Sequence, residues 1–404
     1  MKQIYLLTIG LLTCAALSAQ VNDVVEMGAG YANQVWYSME NGEVGSAPLD
    51  EWDLAFEING FSAAIRANGQ KGLIIYQAPY AVSEWGSLTS LGGDWPQLHD
   101  NPATWTQGAL NRHYTSELDL GWGIYNPVTH FVTGDSLFVV ELPNGTLKKM
   151  RIDALASGVY TFTYSDLDGS NEEQKQLVKA EFSGKNFGYF SFETGEMIDR
   201  EPANDTWDIT FTQYMGEIPG FGFYPVTGIQ HNVGVRVAEV ANTPVDEADP
   251  WSVGFDSEID VIGSDWKVLD GFSFVLVDDL SYFVEDLDGD VYQIFFTGFT
   301  GQSAGITEFT ITEFSLLSAE NVNEASFGVY PNPLNAGQIL TIDGDIQAGS
   351  QVQLFSIDGK LVHQEVAQRN GLLTLNTAKF EAGTYIVNMI ANDNTSSQKV
   401  VINK

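Results

Sequence analysis

Apolar and polar residues alternate in short runs along this chain, and glycine-bearing turns separate the runs. Val139-Val140-Glu141 leads through Asn144-Gly145 into Lys149-Met150-Arg151-Ile152. Phe283-Val284-Glu285 leads through Asp288-Gly289 into Gln293-Ile294-Phe295-Phe296. β-Branched and aromatic residues around an Asn-Gly or Asp-Gly turn predict antiparallel hairpins. No stretch carries an apolar stripe of period 3.6 bounded by helix caps, so the expected fold class is all-β.

The runs also repeat in order. Tyr37-Ser38-Met39-Glu40-Asn41-Gly42-Glu43 parallels Phe190-Ser191-Phe192-Glu193-Thr194-Gly195-Glu196, and Trp52-Asp53-Leu54-Ala55-Phe56 parallels Trp207-Asp208-Ile209-Thr210-Phe211. The two hairpins follow, and each copy closes on a glycine and a strand, Gly158-Val159-Tyr160-Thr161-Phe162 and Gly305-Ile306-Thr307-Glu308-Phe309. Four matches in one order predict two similar antiparallel β-rich domains, at 24–168 and 175–317, with a polar linker around 165–175 and a second linker at 318–326. The pattern puts each Trp in a core and each following Asp at a polar strand or turn position.

The two ends differ from this middle. Lys2, an apolar run at 4–12 and the small residues of Ala16-Leu17-Ser18-Ala19 read as a secretory signal peptide over 1–19. It holds Cys14, the one cysteine; Leu11-Leu12-Thr13-Cys14 loosely resembles a lipobox, with Thr an unfavourable residue before the Cys. Once the signal is removed, no disulfide and no thiolate metal site can form. At the other end, alternating runs from Ile339 to Ile402, with a hairpin at Asp358-Gly359, predict a small β-sandwich over 327–404.

Charge sharpens the division. The 404 residues hold 53 acids and 18 bases, a formal net charge of −35. Six acids and five bases lie in 327–404 and one base in 1–19, so 20–326 holds 47 of the acids and 12 of the bases. That balance excludes nucleic acid and anionic lipid as main partners. No stretch after the signal has eighteen consecutive apolar residues, so the mature chain is not expected to span a membrane with helices.

The tail contains Tyr330-Pro331-Asn332-Pro333, then Leu354-Phe355-Ser356-Ile357-Asp358-Gly359-Lys360, then Gly383-Thr384-Tyr385-Ile386-Val387, and ends on Lys404. In this order, at the chain terminus, the blocks strongly resemble the type A C-terminal sorting domain of the type IX secretion system. The resemblance implies export by that machinery through the outer membrane of a Gram-negative bacterium. It also implies removal of the tail by a surface peptidase, with the cargo then secreted or held at the cell surface.

The cargo blocks, most closely Tyr189-Phe190-Ser191-Phe192-Glu193-Thr194-Gly195 with Trp207-Asp208-Ile209-Thr210-Phe211, resemble the HmuY-like family of secreted haem-binding proteins. The resemblance implies an all-β fold that captures haem between two axial side chains and hands it to an outer-membrane receptor. His99, His113 and His130 fall among Trp95, Trp105 and Trp122, and His113 and His130 are the candidate pair. His130 aligns with Phe274 in the second copy, so the pair is not duplicated with the fold. The acidic field opposes a porphyrin dicarboxylate. The alternative is a structural or adhesive surface protein that binds glycan or protein through its tandem β-domains, with tryptophans such as Trp85, Trp251 and Trp266 available for stacking.

Other chemistry is sparse. Asp286-Leu287-Asp288-Gly289-Asp290 and Asp166-Leu167-Asp168-Gly169 lack the closing carboxylate of a calcium loop and read as turns. Gly301-Gln302-Ser303-Ala304-Gly305 matches a nucleophile-elbow spacing but is followed by a strand, so it too reads as a turn. On these grounds the expectation is a protein that is not an enzyme, with no assigned metal or catalytic residue and haem as the one cofactor to test.

Overall fold

The computed structural model describes residues 20–60, 62–218, 220–271, 273–314, 327–344, 346–356, 360–391 and 394–403. The signal peptide at 1–19, the linker at 318–326, Asp358, Gly359 and Lys404 lie outside the described residues. The chain divides into two compact units, 1–315 and 316–404. Among the described residues helical structure is confined to short 3₁₀ segments of three to six residues; the rest is β-strand and loop, an all-β protein of several distinct antiparallel sheets.

The first unit has two cores. One is built by Leu54, Phe56, Ile65, Trp122, Phe138, Ile152, Tyr160 and Phe162, together with Leu177, Phe182, Phe190 and Phe192. The other takes Val25, Val35, Tyr37 and Met39 and packs them with Ile209, Phe211, Ile229, Tyr282, Ile294 and Phe309. Two arms are therefore exchanged. The first arm carries strands Gln20–Glu26, Asn33–Ser38 and Gly42–Pro48; the second carries Glu173–Val178, Phe187–Phe190 and Met197–Ile198.

Each arm completes the sheets of the opposite core. Gln20–Glu26 pairs with Ile306–Glu313, and Asn33–Ser38 pairs with Ile209–Ile218. In the same way Glu173–Val178 pairs with Val159–Asp166, and Phe187–Phe190 pairs with Leu54–Glu57.

The Trp-Asp blocks lock this exchange. Asp208 Oδ2 accepts the Met39 amide at 2.7 Å, and Asp53 Oδ2 accepts the Phe192 amide at 2.6 Å. The Asp208 amide donates to the Tyr37 carbonyl and the Asp53 amide to the Phe190 carbonyl, at 2.9 and 2.8 Å. Behind each lock an asparagine holds the Trp strand. Asn68 Nδ2 donates to the carbonyls of Leu49 and Trp52, and Asn232 Nδ2 to those of Asn204 and Trp207. A buried carboxylate bonded to a backbone amide is a strong, directional contact, and removing it leaves that amide without a partner. Trp52 and Trp207 are both buried, as the pattern predicts.

The cores meet around Arg200, whose guanidinium lies over Trp36 at 5.0 Å, Tyr189 at 5.1 Å and Trp52 at 6.0 Å. It also bonds Glu51 and Gln34, each at 2.7 Å. Trp122 and Trp266 are core residues, whereas Trp251 is exposed.

The second unit pairs strands Phe327–Tyr330, Ile339–Gly344 and Leu372–Asn376 in one sheet. The other sheet orders Leu334–Asn335, Asn394–Asn403, Gly383–Ala391, Gln351–Ser356 and Leu361–Val366. Between them lie Phe327, Leu340, Ile342, Val352, Leu354, Val387, Val400 and Ile402.

The two locks differ in charge. Lys71 Nζ sits 2.8 Å from Asp53 Oδ1. Burial pushes Asp208 up to about 6, and nearby Asp286 and Asp288 add to the rise while the Met39 amide and Ser38 oppose it. Between the ordinary carboxylate range, about 4, and that value, the folded chain keeps a proton that the unfolded chain has released. The Asp208 contribution to stability is therefore complete below about pH 4 and is lost as the pH rises through about 6. Asp208→Asn should flatten this part of the curve of melting temperature against pH. A wild-type slope in the variant would rule out Asp208 as its source.

Candidate functional site

The hairpin of Ile209–Ile218 and Gly222–His231 is long, ten residues to a strand, yet the first arm pairs with only its first three residues. Its outer half forms one wall of a cleft. A small hairpin, Lys267–Asp270 with Ser273–Leu276, forms another, and the turn from Thr300 to Gly305 with Tyr31 closes the end. The cleft has a volume of about 1020 Å³, the size class of a small-molecule or oligomer site.

The cleft walls are aromatic and amphipathic. Tyr31 stacks on Phe299 with ring centres 6.2 Å apart, and Phe274 meets Phe299 edge-on at 5.5 Å. Tyr224 and Phe274 are 63% and 44% exposed, so their faces are open. Gln213, Thr227, Ser264, Ser273, Gln302 and Ser303 place amides and hydroxyls between them, and Gln213 Nε2 donates to Thr227 Oγ1 at 3.0 Å.

No acid lines this cleft among its seventeen residues, in a cargo that holds 47, and its single charge is Lys267. Lys267 is only 6% exposed. Its Nζ lies over Trp266 at 3.9 Å, Phe299 at 4.9 Å and Phe274 at 5.9 Å. It donates to the carbonyls of Thr227 at 2.7 Å and Ser264 at 3.4 Å. Burial pulls the amine down to about 7, and Asp265 opposes that shift. The ring faces and carbonyl dipoles favour the ammonium as well.

A second cavity lies between the two cores and is richer in tryptophan, lined by Trp36, Trp52, Trp105 and Trp207 with Arg66, Asp100 and Glu201. It measures about 50 Å³, room for a few water molecules. Its charged groups already have partners: Arg66 with Asp100 at 3.3 Å, and Glu201 with the Asn186 amide and the Tyr189 hydroxyl, each at 2.9 Å. Burial pushes Glu201 up to about 7. This cavity belongs to the junction that holds the arms rather than to a ligand.

The histidines named from sequence stand elsewhere. His113 and His130 have exposed side chains, and neither lines the cleft or the inner cavity. His130 sits in a hairpin turn with φ +59°, its Nδ1 2.6 Å from the Tyr125 hydroxyl. His99 stacks on Phe223 at 4.2 Å. Ser303 is a turn residue whose Oγ donates to the Thr300 carbonyl; a side chain at Gly305, φ +69°, would lie 2.2 Å from the Gly28 carbonyl oxygen. Asp286 closes its own turn, accepting the amides of Asp288 and Asp290 at 2.9 Å.

Lys267, Tyr224 and Phe274 were not singled out as site residues by sequence reasoning. The available signal was the aromatic tip Phe221-Gly222-Phe223-Tyr224.

In the second unit the sorting blocks converge on the last strand. Asn332 Nδ2 donates to the Lys399 carbonyl at 2.7 Å, and its Oδ1 accepts the Val401 amide at 3.0 Å. Both Tyr330-Pro331 and Asn332-Pro333 are cis. Gly383 and Thr384 pair with Ile402 and Val401, and Tyr385 is buried with its hydroxyl on the Glu381 carbonyl. Lys360 is exposed.

Residues 328–403 match the secretion system C-terminal sorting domain family. No helix among the described residues is long and apolar enough to cross a membrane. The chain carries a type IX sorting domain and is a secreted or cell-surface protein.

Over 92 residues, 22% of this chain, it is 36% identical to the ulvan lyase NLR42 of Nonlabens ulvanivorans. The match spans 17% of the lyase, a stretch about as long as the C-terminal unit here. The expectation that the protein is not an enzyme is corrected by this match to a lyase. Superposition on PorZ, a surface component of the type IX secretion system of Porphyromonas gingivalis, covers 78% of this chain and 47% of that one, with 11% identity and a TM-score of 0.18. A solved polysaccharide lyase superposes over 87% of this chain and 40% of its own, with 9% identity and a TM-score of 0.16. Scores this low carry no argument for this chain.

Proposed function

We propose that the protein is a secreted carbohydrate-active protein that binds a polysaccharide in the cleft of its first unit and cleaves it by elimination. The observation that carries this reading is the cleft itself. Open aromatic faces alternate with amides and hydroxyls over a volume sufficient for several sugar rings, in the one described cleft of the acidic cargo that bears no acid. Sugars offer apolar C–H faces to aromatic rings and hydroxyls to such polar groups. The match to an ulvan lyase supports both the substrate class and the reaction type.

In this reading 24–168 and 175–317 are two copies of one design, supported by the paired Asp and Asn locks. The sorting tail is an address that engages the type IX machinery and is removed by a surface peptidase. The HmuY-like resemblance contributes a fold comparison, and His113 and His130 have exposed side chains.

Purified protein should bind ulvan in affinity electrophoresis and, on incubation, raise the ultraviolet absorbance of the unsaturated product that elimination leaves. Tyr224→Ala and Phe274→Ala should each weaken binding about tenfold, as loss of a stacking plate of about 1–1.5 kcal/mol requires, with little change in melting temperature because both rings are exposed. Wild-type affinity in both variants would remove the cleft as the binding site. Binding without an absorbance rise would remove the elimination step alone. Separately, Asn332→Ala should lower the secreted fraction in the native host, since two bonds that hold the sorting segment to the last strand are lost; unchanged secretion would show that these bonds do not serve sorting.

A further inference from the structure

We propose that the loop 242–258 is a docking surface for a basic polypeptide segment, whose lysine or arginine side chain lies on the open face of Trp251. The inference is independent of the polysaccharide reading.

The two copies build the same outer layer. In the first, Ala78 and Val139 pack with Leu88 from the loop that follows strand Ile74–Ala81. In the second, Val240 and Phe283 pack with Ala248 from the loop that follows strand Arg236–Ala241. Each loop carries a tryptophan in a 3₁₀ turn, Trp85 in 82–87 and Trp251 in 250–252. Each loop is also tied to its sheet by an equivalent side chain. Lys149, paired with Val139, donates to the carbonyls of Trp85 and Leu88; Gln293, paired with Phe283, donates to that of Val245.

The two rings are treated differently. Trp85 has Lys149 over its ring at 4.8 Å and Arg151 at 4.6 Å, and its Nε1 donates to Glu172 at 2.8 Å. At the positions of these two cations the second copy has Gln293 and Phe295. That strand therefore supplies no charge to Trp251, which is 51% exposed. Nearby Arg236 lies over Phe255 at 5.8 Å and pairs with Glu285.

Trp251 is presented by a built turn. Pro250 and Ala248 are buried beneath it, the Asp249 carboxylate accepts the Trp251 amide at 3.0 Å, and Phe255 supports the ring with centres 5.4 Å apart. A ring fixed in this way loses little freedom when a ligand covers it. Cations are drawn to the face of an indole. The loop 242–258 adds Asp246, Glu247, Asp249, Asp256 and Glu258, all exposed, and has no lysine or arginine. The ring selects the site, and the carboxylates suit a segment with several basic residues. Phe283 packs under the loop, whereas Tyr282 and Val284 belong to the core of Phe309. Successive strand residues face opposite sides of a sheet, so the loop covers the side away from that core. None of the cleft residues comes from it.

The test measures fluorescence polarisation of labelled hexa-arginine, with hexaserine as the neutral control, on the full-length protein at physiological salt. Hexa-arginine should bind and hexaserine should not. Trp251→Leu keeps the net charge and should weaken hexa-arginine binding about three- to fivefold, the worth of one exposed cation–π contact. Asp249→Asn keeps a capping side chain and should weaken it about twofold, as an exposed ion pair does. Glu117→Gln removes one charge from an exposed site in the first copy and should leave binding unchanged. No binding of hexa-arginine, wild-type affinity in Trp251→Leu, or an equal loss in Glu117→Gln and Asp249→Asn overturns the proposal. Should Trp251→Leu fail to fold, hydroxyl-radical footprinting of the wild-type protein replaces it: bound hexa-arginine should protect Trp251 from oxidation, and equal oxidation with and without the peptide overturns the proposal.

Discussion

The first unit depends on one kind of contact, a buried aspartate that grips the backbone of the opposite arm. Asp53 and Asp208 each accept an amide from just beyond the end of a strand, more than a hundred residues away. That grip ties the arms where the cores need them, since each core draws a strand and several of its large apolar residues from the other arm. The asparagines behind them, Asn68 and Asn232, fix the Trp strands from which the aspartates project. Buried carboxylates of this kind contribute little if the partner amide is merely near; they matter because the amide has no other acceptor. Arg200, held among three aromatic faces and two polar partners, fills the junction that results.

Much of this was legible from the chain. Alternating runs and Asp-Gly turns identify the hairpins at 282–296 and 139–152, and the Trp-Asp blocks identify both lock positions with the tryptophans inside. The exchange of arms was not legible. A strand such as Asn33–Ser38 has the same alternation whichever sheet it joins, and the pattern names the face that is buried, not the partner that buries it. Lys267, Tyr224 and Phe274 were missed for a related reason. Residue type and closeness in sequence selected His113 and His130, whereas the cleft gathers residues from four separated segments, 31, 213–227, 264–274 and 299–303.

The acidity takes on a different meaning once the cleft is known. Spread over the cargo it keeps the protein apart from other polyanions and from its own copies. The cleft interrupts that acidity, since no acid is among its lining residues.

The pairing of Gln20–Glu26 with Ile306–Glu313 joins the first described strand to the last strand of the same unit. A chain that emerges amino end first can complete the core around Phe56 and Phe162 once about two hundred residues are out, since all its members lie between 54 and 192. The first strand of the earlier arm must wait, without its partner, for a strand that comes out nearly three hundred residues behind it. Pairing over such a span is slow. The unit therefore closes in a fixed order, and its final strand acts as a latch set only when the cargo has been delivered whole.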